Sequence, residues 1–79
     1  MKVTVKYFAG LRDIAGKENE KIEVKEKIRI RELLGIIYKK YPDMKQAEII
    51  VAKNRAYADE NEVVEEGDEI ALLPPVSGG

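Results

Sequence analysis

The chain has 79 residues, of which 14 are basic and 15 are acidic, so its formal net charge at pH 7 is −1. A chain of this length forms one domain, and the balance of charge argues against a nucleic-acid-binding module, which would carry a basic stripe. The sequence has no cysteine and no histidine, which excludes disulfides, Cys/His zinc sites, thiol nucleophiles and imidazole bases. No apolar run approaches the roughly 18 residues of a membrane span, so we expect a cytoplasmic protein that binds neither membrane nor nucleic acid.

Two segments in the first third of the chain alternate between apolar and polar residues. Residues 2–8 and 20–25 both show this period of two, which is typical of half-buried strands. Between them, residues 9–16 predict one helical turn that Gly16 closes. We therefore expect an antiparallel hairpin with a loop of about ten residues.

The apolar period changes in the middle of the chain. Residues 30–41 carry apolar side chains at i, i+3, i+4, i+7, i+8 and i+11, which predicts one amphipathic helix that Pro42 ends. Gly35 inside this helix costs about 1 kcal/mol relative to alanine, and a close approach of the helix to the sheet would explain it. The stripe consists of Ile30, Leu33, Leu34, Ile37, Tyr38 and Tyr41.

The second half of the chain again predicts strands. Residues 48–53 are mostly apolar and predict a well-covered strand, which Asn54 and Arg55 join to a short strand over 56–58 through a tight turn. Asparagine suits such a turn because it tolerates left-handed backbone angles.

A turn at residues 66–68 precedes the last predicted strand, over residues 69–73. Pro74 and Pro75 end this strand because proline removes a backbone donor and fixes φ. The order of elements predicts an α+β fold of the β-grasp type, in which one main helix packs on one face of a mixed sheet.

The end of the chain differs in composition from the rest. We predict a β-grasp domain over residues 1–73 and an extended, flexible tail over residues 74–79. Two prolines stiffen the exit from the sheet, and two glycines without side chains can enter a narrow channel. The tail reads Pro74, Pro75, Val76, Ser77, Gly78 and Gly79.

Three segments carry a resemblance to a known family. Residues 8–16 read Phe-Ala-Gly-Leu-Arg-Asp-Ile-Ala-Gly, residues 51–54 read Val-Ala-Lys-Asn, and residues 67–79 read Gly-Asp-Glu-Ile-Ala-Leu-Leu-Pro-Pro-Val-Ser-Gly-Gly. Over essentially its whole length the chain resembles the MoaD/ThiS family of ubiquitin-like sulfur carriers, and it looks most like the small subunits of molybdopterin synthase.

The resemblance implies a chemistry for the tail. An E1-like adenylating enzyme would use ATP to join AMP to the carboxylate of Gly79, and a sulfur donor would displace AMP to leave a thiocarboxylate. Inside the large catalytic subunit of the synthase, this group would give its sulfur to a cyclic pterin precursor and form the dithiolene of molybdopterin. The resemblance further implies a heterotetramer of two small and two large subunits.

The residues themselves are consistent with this chemistry. A carboxylate is a poor electrophile, so sulfuration needs a good leaving group, and an acyl-adenylate supplies one. Without cysteine the chain cannot form a side-chain persulfide, which leaves Gly79, preceded by Gly78, as the carrier. Residues 74–77 would position it. We expect no permanently bound cofactor and no metal, and no catalytic residues beyond this terminus, so the chain would act as a cosubstrate.

Strand parity predicts a docking face. The alternation in the first and last strands turns Phe8 and Leu73 away from the core, and these strands are neighbours in a β-grasp sheet. Phe8 and Leu73 should therefore lie together, with Tyr57 at their border, and an apolar cluster on an open sheet face normally marks an interface. The family is similar in using this face for both partners, and Arg12 would add an ion pair there. We interpret the charged pairs at 39–40, 59–60 and 65–66 as solvated surface.

Other readings remain open. Gly79 could instead form an isopeptide bond to a lysine, as in archaeal ubiquitin-like modifiers, or serve tRNA thiolation or thiazole synthesis. Carriers for thiazole synthesis lack Pro-Pro before the tail, whereas this chain has Pro74 and Pro75 there, which argues against a role in thiazole synthesis. A plain β-grasp interaction module, such as an RNA-binding or scaffold domain, would make the tail dispensable.

Overall fold

The computed structural model describes residues 1–75. Val76, Ser77, Gly78 and Gly79, to which the sequence assigns the tail chemistry, lie outside the described residues. The strands are β1 (Lys2–Tyr7), β2 (Asn19–Glu23), β3 (Ile50–Lys53), β4 (Ala56–Tyr57) and β5 (Glu69–Leu73), and the helices are α1 (Ala9–Ala15), α2 (Ile30–Lys40) and a short 3₁₀ helix (Pro42–Gln46).

The strands form one mixed sheet in the order β2-β1-β5-β3-β4. β1 pairs with β5 in parallel, and the other neighbouring strands pair antiparallel. The first and last strands are therefore adjacent at the centre of the sheet. The β-grasp prediction is confirmed, including the neighbouring positions of β1 and β5.

One face of the sheet, the inner face, packs against α2. The strands contribute Val3, Val5, Ile70 and Leu72, all fully buried, and α2 contributes its apolar stripe. Each aliphatic side chain that is fully removed from water in this way stabilises the fold by about 2 kcal/mol. From α2 the buried residues are Ile30, Leu33, Leu34 and Ile37.

Two helical segments differ from the prediction. Residues 9–15 form a seven-residue helix rather than a single turn, and Gly16 ends it in the left-handed conformation, with its N–H bonded to the carbonyl of Arg12. Pro42 ends α2 but also begins the 3₁₀ helix, because its fixed φ suits a first helical position. This short helix was not predicted, and it places Met44 in the core with no exposed surface.

The explanation for Gly35 was wrong. A Cβ added at Gly35 would meet no atom within 4 Å, and the residue is exposed. Since the buried residues of α2 lie on the opposite side of the helix, Gly35 faces solvent and permits no close approach to the sheet.

Candidate docking face and tail exit

The outer face of the sheet carries a row of side chains that crosses four strands. Strand register aligns Lys6 of β1 with Ala71 of β5, Ala71 with Ala52 of β3, and Ala52 with Tyr57 of β4. Because side chains alternate between faces, these residues point away from the core formed by Val5, Val51 and Leu72 on the same strands.

Small residues in the middle of this row create an open concavity. Ala71 and Ala52 form its floor, and larger side chains rise on either side. Tyr57 is 81% exposed and Phe8 is 42% exposed. The outer concavity, as we call it, is lined by Lys6, Phe8, Ala52, Arg55, Ala56, Tyr57, Glu69, Ala71 and Leu73.

The structure thus places three of the four predicted docking residues along one surface. Phe8 follows β1 and donates its backbone N–H to the carbonyl of Leu72 at 3.2 Å, which extends the pairing with β5 by one residue. Leu73 ends β5, and Tyr57 faces it across the concavity from β4. Large apolar side chains that are exposed together on a sheet face are typical of an interaction surface.

Arg12 lies apart from the other three. It does not line the outer concavity but a neighbouring depression, which it shares with Phe8, Glu18 and Asn19. Its Nη1 atom is 3.6 Å from Oε1 of Glu18, and both side chains are largely exposed. An exposed pair of this kind contributes little to stability, so the geometry leaves Arg12 at the margin of the face.

The hairpin between β3 and β4 borders the outer concavity. Asn54 and Arg55 have φ values of 51° and 71°, as a two-residue type I′ hairpin turn requires. The side chain of Asn54 holds this turn on the start of β5: its Oδ1 accepts from the N–H of Glu69 at 2.9 Å, and its Nδ2 donates to Asp68 at 3.0 Å. The turn predicted from asparagine is confirmed.

The chain leaves the sheet beside the outer concavity. Leu73 both ends β5 and lines the concavity, and Pro74 and Pro75 follow it outside regular secondary structure. Since neither proline can donate a backbone hydrogen bond, the ladder does not continue along this segment. The root of the tail and the exposed apolar residues therefore occupy one end of the outer face.

A polar cluster lies at the same end of the sheet but on the inner side. Oε2 of Glu20 accepts hydrogen bonds from the hydroxyls of Tyr7 and Tyr41, both at 2.6 Å, and Lys40 donates to Oε1. The rings of Tyr7 and Tyr41 meet edge to face at 5.8 Å. This tyrosine–glutamate cluster connects β1, β2 and the end of α2.

The cluster shifts the pKa values of its members. The carboxylate of Glu20 is only 9% exposed, and this burial opposes ionisation, but the hydrogen bonds from Lys40, Tyr41 and Tyr7 outweigh it and hold the pKa of Glu20 at about 2. Burial and the hydrogen bond to Glu20 raise the pKa of Tyr41 to about 12 and raise the pKa of Tyr7 further. Glu20 is therefore ionised and both tyrosines are protonated at neutral pH.

Sequence reasoning missed this cluster: Lys40 was interpreted as solvated surface without a role, and its side chain is indeed exposed, but it pairs with Glu20. The available signal was weak: Tyr7 is a phenol at an inward position of β1, and a buried hydroxyl needs a partner. Its acceptor comes from β2 and the charge partner from α2, at sequence separations of 13 and 20, so no local pattern joins them.

Two further properties concern residues 1–75. Neither α1 nor α2 is long and apolar enough to cross a membrane. In this part of the chain, no three acidic side chains are grouped so that they could hold a metal ion.

Comparison with sequence families and curated proteins identifies relatives of the whole chain. The family described as the ThiS family matches residues 5–79. The molybdopterin synthase sulfur carrier subunit of Homo sapiens is 36% identical, covering 99% of this chain and 94% of the relative. The protein of the same name from Chlamydomonas reinhardtii is 32% identical, covering 100% of both chains.

Solved structures agree with these relatives. The putative molybdopterin converting factor subunit 1 from Pyrococcus furiosus is 34% identical with a TM-score of 0.91, covering 96% of this chain and 99% of that one. SAMP1 from Haloferax volcanii is 28% identical with a TM-score of 0.87, covering 100% of both chains. A chain in the complex of subunits 1 and 2 of the molybdopterin-converting factor from Helicobacter pylori is 31% identical with a TM-score of 0.74, also covering 100% of both. As the motifs predicted, this ubiquitin-like β-grasp chain belongs to the ThiS family.

Proposed function

We propose that this chain is the sulfur-carrier small subunit of a molybdopterin synthase and that the carboxylate of Gly79 carries the sulfur. Curated relatives with that name align with at least 99% of the chain, and the family match extends to Gly79 itself. This likeness to the relatives supports the role in molybdopterin synthesis. The geometry of residues 1–75 supports the way in which the tail reaches a partner's active site.

The observation that carries the proposal is the position of the tail root. Leu73 ends β5, lines the outer concavity and directly precedes the tail. A partner that binds the exposed Phe8 and Tyr57 would therefore receive residues 74–79 from the edge of the same contact. A partner that binds the β-grasp domain in this way also positions the C-terminus. This reduces the entropy that is lost when the tail enters the partner's active site.

The chemistry proceeds in three stages. The carboxylate of Gly79 attacks the α-phosphorus of ATP on an E1-like adenylating enzyme, and pyrophosphate leaves. A sulfur donor then attacks the acyl-adenylate carbon and AMP leaves, so that one carboxylate oxygen is replaced by sulfur. The resulting thiocarboxylate delivers its sulfur to a cyclic pterin precursor, where two such deliveries build the dithiolene of molybdopterin.

The proposal includes two protein partners and a sulfur donor. The large catalytic subunit of the synthase would receive the tail, and two small and two large subunits would form a heterotetramer. The solved complex of subunits 1 and 2 of the Helicobacter pylori converting factor contains a chain 31% identical to this one, which supports the large subunit as a partner. The outer concavity would serve the activating enzyme and the large subunit in turn, with Phe8, Tyr57 and Leu73 as the main contacts and Arg12 at the margin.

Intact-mass measurement tests the carrier chemistry. The purified chain is incubated with its activating enzyme, ATP and sodium sulfide, and we expect a mass gain equal to the exchange of one oxygen for one sulfur. Deletion of Gly79 should abolish this gain, whereas the control Gly35→Ala, on the solvent side of α2, should gain mass as the wild type does. Loading that persists without Gly79 would contradict the proposal.

A second candidate function is protein modification. The likeness to SAMP1, a small archaeal modifier protein, favours it, and it requires the same activation of Gly79 with a lysine amine as acceptor. Incubation of the chain with ATP in a lysate separates the two functions: conjugates linked through Gly79 would support modification, whereas a thiocarboxylate without conjugates would support sulfur transfer alone.

A further inference from the structure

The strongest unexplained feature of the outer concavity is Arg55. Its side chain lines the concavity beside Tyr57, and the residue is exposed. Within residues 1–75 its guanidinium forms no salt bridge and no hydrogen bond with another side chain or a backbone carbonyl. Five fixed N–H donors thus border an apolar surface without an acceptor.

Electrostatics around Arg55 distinguish it from the other charges of the concavity. Lys6 and Glu69 form an ion pair with 3.3 Å between Nζ and Oε2, so that their charges offset each other. Arg55 therefore gives the concavity one uncompensated positive charge, although the whole chain has a net charge of −1. The outer concavity therefore complements a negatively charged group on a partner that binds there.

The backbone at Arg55 does not favour an arginine. Its φ of 71° is left-handed, where glycine is unstrained and a residue with a Cβ is not. The turn itself is held by Asn54 through its bonds to Asp68 and Glu69, so glycine at position 55 would serve the fold at least as well. The fold provides no reason for the guanidinium, which points to a role in recognition.

We propose that Arg55 binds a carboxylate of the large synthase subunit at the border of the outer concavity and thereby helps to select that partner. The inference rests on the proposed function, because it assumes that the large subunit covers this face. Docking would remove water from the pair, and the planar guanidinium would engage the carboxylate through two parallel N–H···O bonds.

Tyr57 would reinforce the contact. An aromatic ring next to a guanidinium offers it a flat surface and excludes water from its ion pair. Tyr and Arg are among the residues enriched where a few side chains dominate binding at an interface. A matching partner surface presents an apolar side chain that fits over Ala52 and Ala71, with an aspartate or glutamate directly beside it.

The test measures the Kd of each full-length variant for the purified large subunit from the same organism, at several NaCl concentrations. Arg55→Gly is the informative variant, because it removes the guanidinium and relieves the left-handed backbone at once. We expect its melting temperature to be no lower than that of the wild type and its Kd to rise about tenfold. Its Kd should also depend less on salt.

Two variants serve as controls. Arg31→Gln removes the same charge from the exposed side of α2, where the residue forms no ion pair within residues 1–75, and its Kd should stay at the wild-type value. Arg55→Lys keeps the positive charge but loses the planar guanidinium that forms two parallel N–H···O bonds, so its Kd should rise less than that of Arg55→Gly. An equal loss in Arg31→Gln and Arg55→Gly would indicate a general charge effect and overturn the inference.

A third variant separates this inference from the proposed function. If Tyr57→Ala weakens binding and Arg55→Gly binds as the wild type does, the inference is overturned and the docking face stands. If neither variant weakens binding, both the inference and the docking face are overturned, while the sulfur-loading assay at Gly79 still decides the carrier chemistry. The Kd of Arg55→Gly for the activating enzyme is measured in the same way, and a loss of affinity for that enzyme alone would overturn the assignment of the carboxylate to the large subunit.

Discussion

The two faces of the sheet are built from alternate residues of the same strands, but they differ in the size of their side chains and in whether a helix packs on them. On the inner face, Val51 and Leu72 are paired in register and packed beneath α2. One residue along, Ala52 and Ala71 are paired in register on the outer face, where no helix of the described residues 1–75 covers them. A shift of a single position thus changes a bulky, closed surface into a small-residue, open one.

The difference shows which residues serve folding and which are available for recognition. The inner face fills its volume and satisfies its polar atoms: within residues 1–75, every buried side-chain nitrogen and oxygen has a hydrogen-bond partner. The outer face exposes Tyr57 and Phe8, and the described part of the chain offers no acceptor to the guanidinium of Arg55. Mutations on the inner face should therefore change stability, and mutations on the outer face should change binding.

The largest effect on stability is expected from Leu33→Ala. Leu33 is 0% exposed in the centre of the inner face, so truncation removes apolar burial and leaves a cavity, at a cost of about 3 kcal/mol. Urea unfolding followed by circular dichroism measures this loss. Ile36→Ala, at a 39% exposed position of the same helix, is the control and should cost less than about 1 kcal/mol. Equal losses would contradict the assignment of Leu33 to the core between α2 and the inner face of the sheet.

Glu20→Gln should have the second largest effect, a loss of about 2 kcal/mol at pH 7. The amide still accepts from the tyrosines, but it gives up the charge that pairs with Lys40. The exposed Glu48, whose side chain forms no ion pair within residues 1–75, provides the control variant Glu48→Gln. A stability of Glu20→Gln equal to that of this control would show that the charge of Glu20 contributes nothing to stability.

The same cluster predicts a pH dependence. The folded-state pKa of Glu20 is about 2, below the ordinary 4.5, so the ionised form is favoured by folding. Its stabilisation is complete above pH 4.5 and is lost as the pH falls toward 2, and the difference in pKa corresponds to about 3 kcal/mol. Unfolding free energies measured across this range should fall more steeply for the wild type than for Glu20→Gln. Parallel curves would contradict the depressed pKa.

Gly35→Ala should stabilise the protein by about 1 kcal/mol. The new Cβ meets open space on the solvent side of α2, and alanine loses less backbone entropy than glycine in a helix. Gly16→Ala makes a matched comparison, because Gly16 has a φ of 75° and should lose about 1 kcal/mol from left-handed strain. Thermal unfolding measures both. A loss of stability in Gly35→Ala would mean that this position is not free of packing constraints.

The smallest effect on stability is expected from Tyr57→Ala, within about 0.5 kcal/mol of the wild type, because the ring is 81% exposed. Its binding to the large subunit should nevertheless weaken by about tenfold, as exposed tyrosines at interfaces often dominate affinity. Calorimetric titration and thermal unfolding of the same sample provide the two measurements. A large fall in melting temperature would assign Tyr57 to the fold instead.

Local patterns predicted most of the fold. The alternation in residues 2–8, the helical stripe from Ile30 and the turn at Asn54 each depend on neighbours a few positions away, and each is confirmed within one or two residues. The 3₁₀ helix was missed because proline was interpreted only as a helix end. The explanation for Gly35 was wrong because it was inferred from the residue type, whereas the apolar stripe already leaves position 35 on the solvent side of α2.

The candidate docking face was predicted correctly where the prediction depended on a local pattern. Parity along β1 and β5 placed Phe8 and Leu73 outward, since alternation is a property of each strand alone. Arg12 was predicted to add an ion pair to this face, yet α1 carries it into a neighbouring depression.

The amino-acid sequence, read without coordinates, determined the elements, the face on which each apolar residue lies and the family, because periodicity and motifs are local properties of the chain. Folding in three dimensions decided the rest: the meeting of Glu20 with Tyr7, Tyr41 and Lys40, and the position of Arg55 on the outer concavity. The physical reason is that strand order and register, which are set by packing of the whole core, bring together residues that are far apart in the chain.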